Sequence, residues 1–180
     1  MNRTSTRDLV AIERQVKGLL ELLGLDLSQP DLEATPRRVA RMYDEIFRGL
    51  DADARPEITV FPNTENYRSA VLVRDIDFYS VCAHHLVPFF GRAHIAYLPA
   101  ERIAGLSKLA RVLEFFARRP QVQERLTEEV ASFLEEALAP RGVMVVIEAR
   151  HLCMEMRGVE KPGALTVTST TRGIFAEPEA

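Results

Sequence analysis

The two cysteines of this chain each stand close to histidines, and these residue types together suit a metal ion. Cys82 and His85 are three positions apart after an apolar, β-rich run, so both side chains can reach one ion from a single tight turn. Cys153 ends a second cluster, where an extended backbone would point it to the same side as His151. Three of the four histidines lie in these clusters. Thiolates and imidazoles are the usual ligands of zinc, so the pattern indicates a zinc site built from Cys82, His85 and Cys153.

The same residues allow other interpretations. A cysteine is most often a small buried hydrophobe, and Cys82 and Cys153 could form a disulfide in an oxidising compartment. If zinc is bound, three protein ligands leave the fourth position for water, whose pKa falls to roughly 7 on the metal. His84 and His151 then stand beside that water as proton-transfer groups. A fourth ligand from either histidine would instead make the site a closed, structural one.

Cationic residues form a second candidate site at the start of a predicted helix. Lys108 and Arg111 are three positions apart and therefore share a helix face, near the positive end of the helix dipole. Backbone N–H groups there add donors for a phosphate. Arg157 and Lys161 follow the Cys153 cluster and would add positive charge. Taken alone, Lys108 and Arg111 are better explained as the solvated face of an amphipathic helix.

A third candidate is Glu124, which follows Gln123 at the start of the next predicted helix. A carboxylate accepts two parallel hydrogen bonds, which matches the N1–H and exocyclic amine of guanine. In the first turn of a helix the same carboxylate also compensates the helix dipole, and the sequence alone favours that simpler role.

The predicted helices and strands group these residues around one sheet. Near the N-terminus, Gly24 is expected to end the first helix, Thr35 to cap the second and Pro36 to occupy its first helical position. Residues 50–67 contain two prolines and indicate a linker. Periodicity predicts helices at 8–23, 35–49, 105–116 and 122–138, and strands at 70–73, 76–79, 92–98, 143–147 (continuing towards Cys153) and 165–175. The order predicts an α+β fold after a helical arm, with an antiparallel sheet and helices on one face.

Composition limits the functional class. The 180 residues are 47% hydrophobic and 27% charged, close to the average for globular proteins. A net charge of −3 gives no general attraction to nucleic acid or to an anionic membrane. No apolar stretch approaches the ~18 residues of a membrane span, and no segment has the pattern of a signal peptide. Two cysteines are too few for a disulfide scaffold, so a cytoplasmic location is expected.

Taken together, these strings resemble the GTP cyclohydrolase I family, the first enzyme of pterin and folate biosynthesis. The resemblance covers nearly the whole chain, in the strings TPRRVA (35–40), CAHHLVPF (82–89), HIAYLP (94–99), GLSK (105–108), RRPQVQERLT (118–127), HLCM (151–154) and MRGVEK (156–161). It implies the tunnelling fold (T-fold), in which each subunit contributes an antiparallel sheet with two helices and the sheets join into a barrel. It also implies a homodecamer of two pentameric rings with shared active sites. Residues 1–50 would form the helical arm and residues 51–180 the catalytic T-fold domain.

The resemblance also implies a role for each matching residue at the metal. Zinc is the implied cofactor, with Cys82, His85 and Cys153 as its ligands. His84 resembles the acid that protonates N7 of the purine, and His151 its partner near the metal-bound water.

The implied substrate is GTP, which is converted with water to 7,8-dihydroneopterin triphosphate and formate through a ring-opened formamide. Ser107 is grouped with the catalytic residues and lies between phosphate and ribose. The implied substrate contacts are Glu124 with its neighbour Gln123 at the guanine, and Lys108, Arg111 and Arg157 at the triphosphate.

Two positions depart from the family pattern. Ala83 stands where the family usually has Glu, and Ala164 where it has Ser. Neither is a metal ligand, so we expect slower proton delivery with the zinc site intact. The alternatives are a relative that stops at the formamide or uses another purine nucleotide, and a non-catalytic scaffold stabilised by zinc.

Overall fold

Helices and strands cover most of residues 7–176, the part of the chain described by the computed structural model. In chain order they are α1 (Leu9–Leu22), α2 (Thr35–Ile46), β1 (Val60–Pro62), β2 (Val71–Cys82), β3 (Pro88–Leu98), β4 (Arg102–Ala104), α3 (Leu106–Ala117), β5 (Pro120–Gln121), α4 (Gln123–Leu138), β6 (Gly142–His151), α5 (Leu152–Glu155) and β7 (Thr166–Gly173). Within that range no helix combines the length and apolar composition needed to span a membrane. The outer ends of the predicted arm and domain, residues 1–6 and 177–180, lie outside the described residues.

The main sheet has the order β5-β2-β3-β6-β7. Its long strands all pair antiparallel, and β5 adds a short parallel pair at the edge of β2. α3 and α4 pack against the sheet in one apolar core, whose largest fully buried side chains include Tyr97, Phe78, Phe89, Leu113 and Leu126. The predicted α+β class with an antiparallel sheet and two helices is confirmed, and it is the subunit architecture that the T-fold resemblance implies.

Strand β2 is longer than predicted, because the strands expected at 70–73 and 76–79 are one strand. The pairing with β3 shifts register between Val73 and Ile76, and Asp75 has φ +57°. A β-bulge of this kind accommodates an extra residue without ending the strand. The N–H of Asp75 donates to Nδ1 of His94 (3.2 Å), which ties the bulge to β3. One continuous strand therefore runs to Cys82.

Helix α1 ends as the sequence predicts. Gly24 has φ +83°, a conformation that glycine adopts without strain. Its N–H donates to the carbonyl of Glu21 (3.0 Å), and the N–H of Leu25 donates to the carbonyl of Leu20 (3.1 Å). These two bonds form a Schellman motif, which satisfies carbonyls at the helix end.

The predicted cap of α2 is wrong by one residue. Thr35 is the first helical residue, and Ala34 is the N-cap with no side-chain cap bond. The N–H of Thr35 donates to the carbonyl of Leu32 (2.9 Å) in the preceding turn, and the alanine at the N-cap has no side-chain oxygen to cap the helix. Pro36 is therefore the second helical residue and not the first, as was predicted. The division into an arm over 1–50 and a domain over 51–180 stays a prediction.

The predicted linker at 50–67 contains regular structure. β1 pairs antiparallel with β4, and Val60 lies opposite Ala104. The carbonyl of Thr59 accepts from the N–H of Gly105 (3.1 Å), immediately before α3. A three-residue strand held by a distant partner leaves no periodic pattern in the sequence, so composition alone indicated a linker.

Candidate metal centre and surrounding site

The first ligand turn follows directly from the end of β2. The N–H of Cys82 donates to the carbonyl of Val87 (2.9 Å), and the N–H of Leu86 donates back to the carbonyl of Cys82 (2.8 Å). Leu86 has φ +52°, which reverses the chain within this tight loop. The N–H of Ala83 donates to the carbonyl of Gln121 in β5 (2.8 Å), so the loop is anchored to the neighbouring strand. The turn therefore presents Cys82 and His85 from a fixed backbone.

Cys153 reaches the same place through the antiparallel pairing of β3 and β6. That pairing puts His151 opposite Phe89, close to the ligand turn, and α5 then carries Cys153. The ligand atoms of Cys82, His85 and Cys153 all lie within 4.8 Å of one another. The sequence-based prediction that these three side chains form one cluster is confirmed.

The chemistry of this cluster fits a metal ion such as zinc. Two sulfur donors and one imidazole are ligands that zinc accepts, and three of them leave one coordination position open. Both cysteines are free, so the alternative disulfide is not formed. Nδ1 of His84 lies 3.8 Å from Sγ of Cys82, yet within residues 7–176 neither His84 nor His151 belongs to the group that can share one ion. The geometry therefore favours an open three-ligand site over a closed one.

Two arginines flank Cys153 along the chain, Arg150 before it and Arg157 after it. Nη1 of Arg157 lies 3.1 Å from Nε2 of His85, so this predicted phosphate ligand is next to the metal cluster. Burial raises the pKa of the Cys153 thiol, the neighbouring Cys82 raises it further, and the positive charge of Arg157 opposes both. Arg150 donates to Glu155 (2.8 Å), which braces α5.

The imidazole ring of His151 is held by Phe89 at one face and by Gln123 at one nitrogen. Its ring stacks on Phe89 with centroids 4.6 Å apart and planes 4° from parallel. Its Nε2 lies 2.7 Å from Oε1 of Gln123. Burial lowers the pKa of His151, while the negative charges of Glu124 and Glu155 act in the opposite direction. The ring is therefore half-buried in a fixed orientation close to two carboxylates.

The two neighbours at the start of α4 have different surroundings. Gln123 is 1% exposed, and both ends of its amide bond protein groups. Glu124 is exposed in the first turn of the helix, and its negative charge acts to raise the pKa of His151. The contact of Glu124 and Gln123 with a guanine base stays a prediction, and of the two only Glu124 presents a side chain to solvent.

Ser107, Lys108 and Arg111 are not brought to the metal cluster of their own chain. The hydroxyl of Ser80 donates to the carbonyl of Ala117 (2.7 Å), so the last residue of α3 lies beside the end of β2. At about 1.5 Å of rise per residue, Lys108 is roughly 14 Å from Ala117 along the helix axis.

The start of α3 lies beside the opposite end of β2. The hydroxyl of Tyr97 accepts from the N–H of Ala104 (2.9 Å), and Tyr97 pairs with Val71, the first residue of β2. Within one chain, the predicted phosphate residues on α3 and the metal ligands therefore occupy opposite ends of the sheet.

Two contacts of the site were missed from the sequence. No role was predicted for Phe89, because its stacking on His151 depends on the strand register. Gln123 was expected at the base, yet its oxygen contacts His151. The alternation of β-rich residues predicted the strands themselves, but alternation does not determine which residues lie opposite each other.

Comparison with known proteins points to one family. The family model described as GTP cyclohydrolase I matches residues 12–180. Proteins named GTP cyclohydrolase 1 are similar: 55% identical in Lysinibacillus sphaericus, over 97% of this chain and 93% of that protein, and 54% in Carboxydothermus hydrogenoformans, over 94% and 88%. The Clostridioides difficile protein of the same name is 55% identical, over 93% and 89%. The archaeosine synthase QueF-Like in its apo form covers 59% of this chain at 15% identity and a TM-score of 0.45, too distant a likeness to indicate shared function.

A match over nearly the whole length, with identity above one half, extends well beyond the few residues of the metal cluster. The chain belongs to the GTP cyclohydrolase I family.

Proposed function

We propose that this protein is a zinc-dependent enzyme that converts GTP and water to 7,8-dihydroneopterin triphosphate and formate. The observation that carries this proposal is the cluster of Cys82, His85 and Cys153, whose ligand atoms lie within 4.8 Å of one another. It occurs in a chain whose relatives, at about 55% identity, are named GTP cyclohydrolase 1.

Zinc is the metal that the donor set favours. Thiolates select soft or borderline metals, and imidazole suits zinc as well. Bound there, the ion supplies Lewis-acid activation of the water used in hydrolysis. Every other step depends on groups of the chain itself.

His84 and His151 are the proposed proton-transfer groups. His84 is exposed within the ligand turn, where it gives a proton to N7 of the purine and makes C8 electrophilic. Water then adds at C8, the imidazole ring opens to a formamide, and a second hydrolysis releases formate. His151 and Ser107 serve the later steps, in which the ribose rearranges and closes on the freed amine.

Glu124 is the proposed anchor of the guanine base. Its carboxylate is exposed near His151, and it can accept from both the N1–H and the exocyclic amine. Adenine presents no matching pair of donors at this edge, so the carboxylate selects guanine.

The triphosphate requires groups from two copies of the chain. Arg157 lies beside His85 of its own chain, whereas Ser107, Lys108 and Arg111 lie at the far end of α3. A homo-oligomer with shared sites, which we propose to be a decamer of two pentameric rings, would bring the two sets together. Free strand edges support such joining: within the described residues β7 pairs only with β6, and the outer edge of β2 pairs only with β5.

Incubation of the zinc-loaded protein with GTP tests the proposal. Formate release and pterin fluorescence are followed together, and equal amounts of both products are expected. A formamide that accumulates without pterin would favour the alternative of a truncated reaction. Unchanged GTP would contradict the proposed function.

A further inference from the structure

Gln123 lies at the centre of a buried hydrogen-bond network beside the site. The two N–H groups of its Nε2 face the carbonyls of Ile147 (2.9 Å) and Thr166 (3.0 Å), and Nε2 also lies 3.1 Å from Oγ1 of Thr168. Its Oε1 lies 2.7 Å from Nε2 of His151. The network connects α4 with β6 and β7, so the amide is fixed by three elements.

The direction of each bond in this network follows from groups that can only accept. Backbone carbonyls have no proton to give, so Ile147 and Thr166 require the nitrogen end of the Gln123 amide to face them. The oxygen end then faces His151, and an amide oxygen can only accept. Nε2 of His151 must therefore carry the proton that it donates to Gln123.

The two threonines complete the network without changing that direction. The hydroxyl of Thr127 donates to the carbonyl of Gln123 (2.8 Å) and lies 2.7 Å from Oγ1 of Thr168. Since the one Thr127 proton is used, Thr168 donates to Thr127 and its lone pairs face the Gln123 amide nitrogen. Each donor is used, and within residues 7–176 no buried side-chain nitrogen or oxygen is left without a partner.

We infer that Gln123 is a positioning residue, which holds His151 as the tautomer protonated at Nε2 and leaves the Nδ1 lone pair for the reaction. Phe89 stacks flat against one face of the ring and holds its plane, and turning the ring over would put a carbon in place of Nε2 and lose the hydrogen bond to Gln123. Within residues 7–176 no protein group hydrogen-bonds to Nδ1. A second-sphere partner that fixes one nitrogen of a histidine determines which nitrogen can act.

This inference rests on the proposed role of His151, and a double-mutant cycle tests it in the zinc-loaded enzyme. Gln123→Met removes both ends of the amide at similar volume, and we expect kcat to fall by about 10- to 100-fold with KM for GTP nearly unchanged. In the His151→Ala background the same change should cause no further loss, because Gln123 acts through the imidazole. Losses that multiply would overturn the inference.

Ring-nitrogen NMR gives a readout that does not depend on activity. With ¹⁵N-labelled histidine, the His151 signals are assigned by their loss in His151→Ala. We expect a proton on Nε2 and none on Nδ1 in the parent protein, and a mixture of tautomers in Gln123→Met. A proton on Nδ1 in the neutral ring of the parent would overturn the inference.

Two further variants separate positioning from general destabilisation. Gln121→Met removes an equally buried glutamine, whose side chain bonds Phe116, Glu129 and Arg125 instead. It should leave the His151 tautomer unchanged. Thr168→Val leaves both carbonyls in place to orient the amide, so the tautomer should persist. If His151→Ala kept full activity, its proposed catalytic role would fail, while the NMR result would still test the effect of Gln123.

Discussion

The metal cluster and the start of α3 were both predicted as site residues from the sequence, but the fold places them in different parts of the subunit. Cys82, His85 and Cys153 come from two distant segments and meet within 4.8 Å in one chain. Lys108 and Arg111 belong to the same family pattern, yet they lie at the other end of the sheet. A single subunit therefore assembles the metal ligands and their histidines, whereas under the proposed function the triphosphate contacts require a second copy.

The largest effect is expected from the metal ligands themselves. Cys153→Ser should lose both bound zinc and activity, because a hydroxyl is a poor substitute for a thiolate. Outer-sphere changes at metal sites already cost about 10- to 100-fold, so the loss should exceed 100-fold. Metal analysis and GTP turnover check this together. His94→Gln, which changes the one histidine outside the two clusters, is the matched control and should retain zinc. Full activity in metal-free Cys153→Ser would refute the assignment.

A smaller but selective effect is expected at Glu124. Glu124→Gln exchanges one accepting oxygen for a donor that faces the guanine amine, and hydrogen bonds to charged groups contribute about 1.5–3 kcal/mol. GTP affinity should fall by about 10- to 100-fold with zinc content unchanged. Glu136→Gln, near the other end of α4, is the control. GTP binding as tight as in the parent would show that Glu124 does not hold the base.

The basic residues of α3 should affect the phosphates and not the base. Lys108→Ala and Arg111→Ala each remove a charge-assisted contact, so KM for GTP should rise by roughly tenfold while guanosine binding changes little. Arg102→Ala, an exposed cation shortly before the helix, controls for general loss of charge. Equal losses for GTP and guanosine would place the cluster away from the phosphates.

The smallest effect is expected at Ala83, where the chain departs from the family pattern. Its N–H is fixed by the carbonyl of Gln121, so Ala83→Glu would add a carboxylate beside His84 without moving the ligand turn. A surface pair of this kind contributes about 0.2–1 kcal/mol, which corresponds to a gain in rate of up to about fivefold. Ala83→Gln is the uncharged control. An unchanged or lower rate in Ala83→Glu would show that the site is complete without the carboxylate.

The sequence predicted the metal cluster because ligand chemistry restricts residue types so strongly. Cys82 and His85 are local to one turn, and the adjacent strand predicted that turn correctly. Cys153 could be predicted as the third ligand because the chain has only two cysteines and each of them lies within two residues of a histidine. The layering of the fold was also predictable, since the helical periodicities at 105–116 and 122–138 lie between β-rich runs.

The remaining features depend on contacts between distant segments. The stacking of Phe89 on His151 and the hydrogen bond from His151 to Gln123 require the register of β3 with β6 and the position of α4. The pairing of β1 with β4 joins segments too short to show periodicity. The distance of Lys108 from the metal ligands follows from the direction of α3 across the sheet, which spacing along the chain does not contain.

Complementation between two impaired variants, assayed at a GTP concentration below the raised KM, tests the division of the site most directly. One variant is Cys153→Ser, and the other combines Lys108→Ala with Arg111→Ala. Mixed oligomers contain sites in which the metal comes from one chain and the intact α3 from its neighbour. We predict that co-expressed chains regain GTP turnover, up to about a quarter of the parent activity in a random mixture. Activity no higher than that of the separate variants, in oligomers shown to contain both chains, would contradict a site shared between subunits.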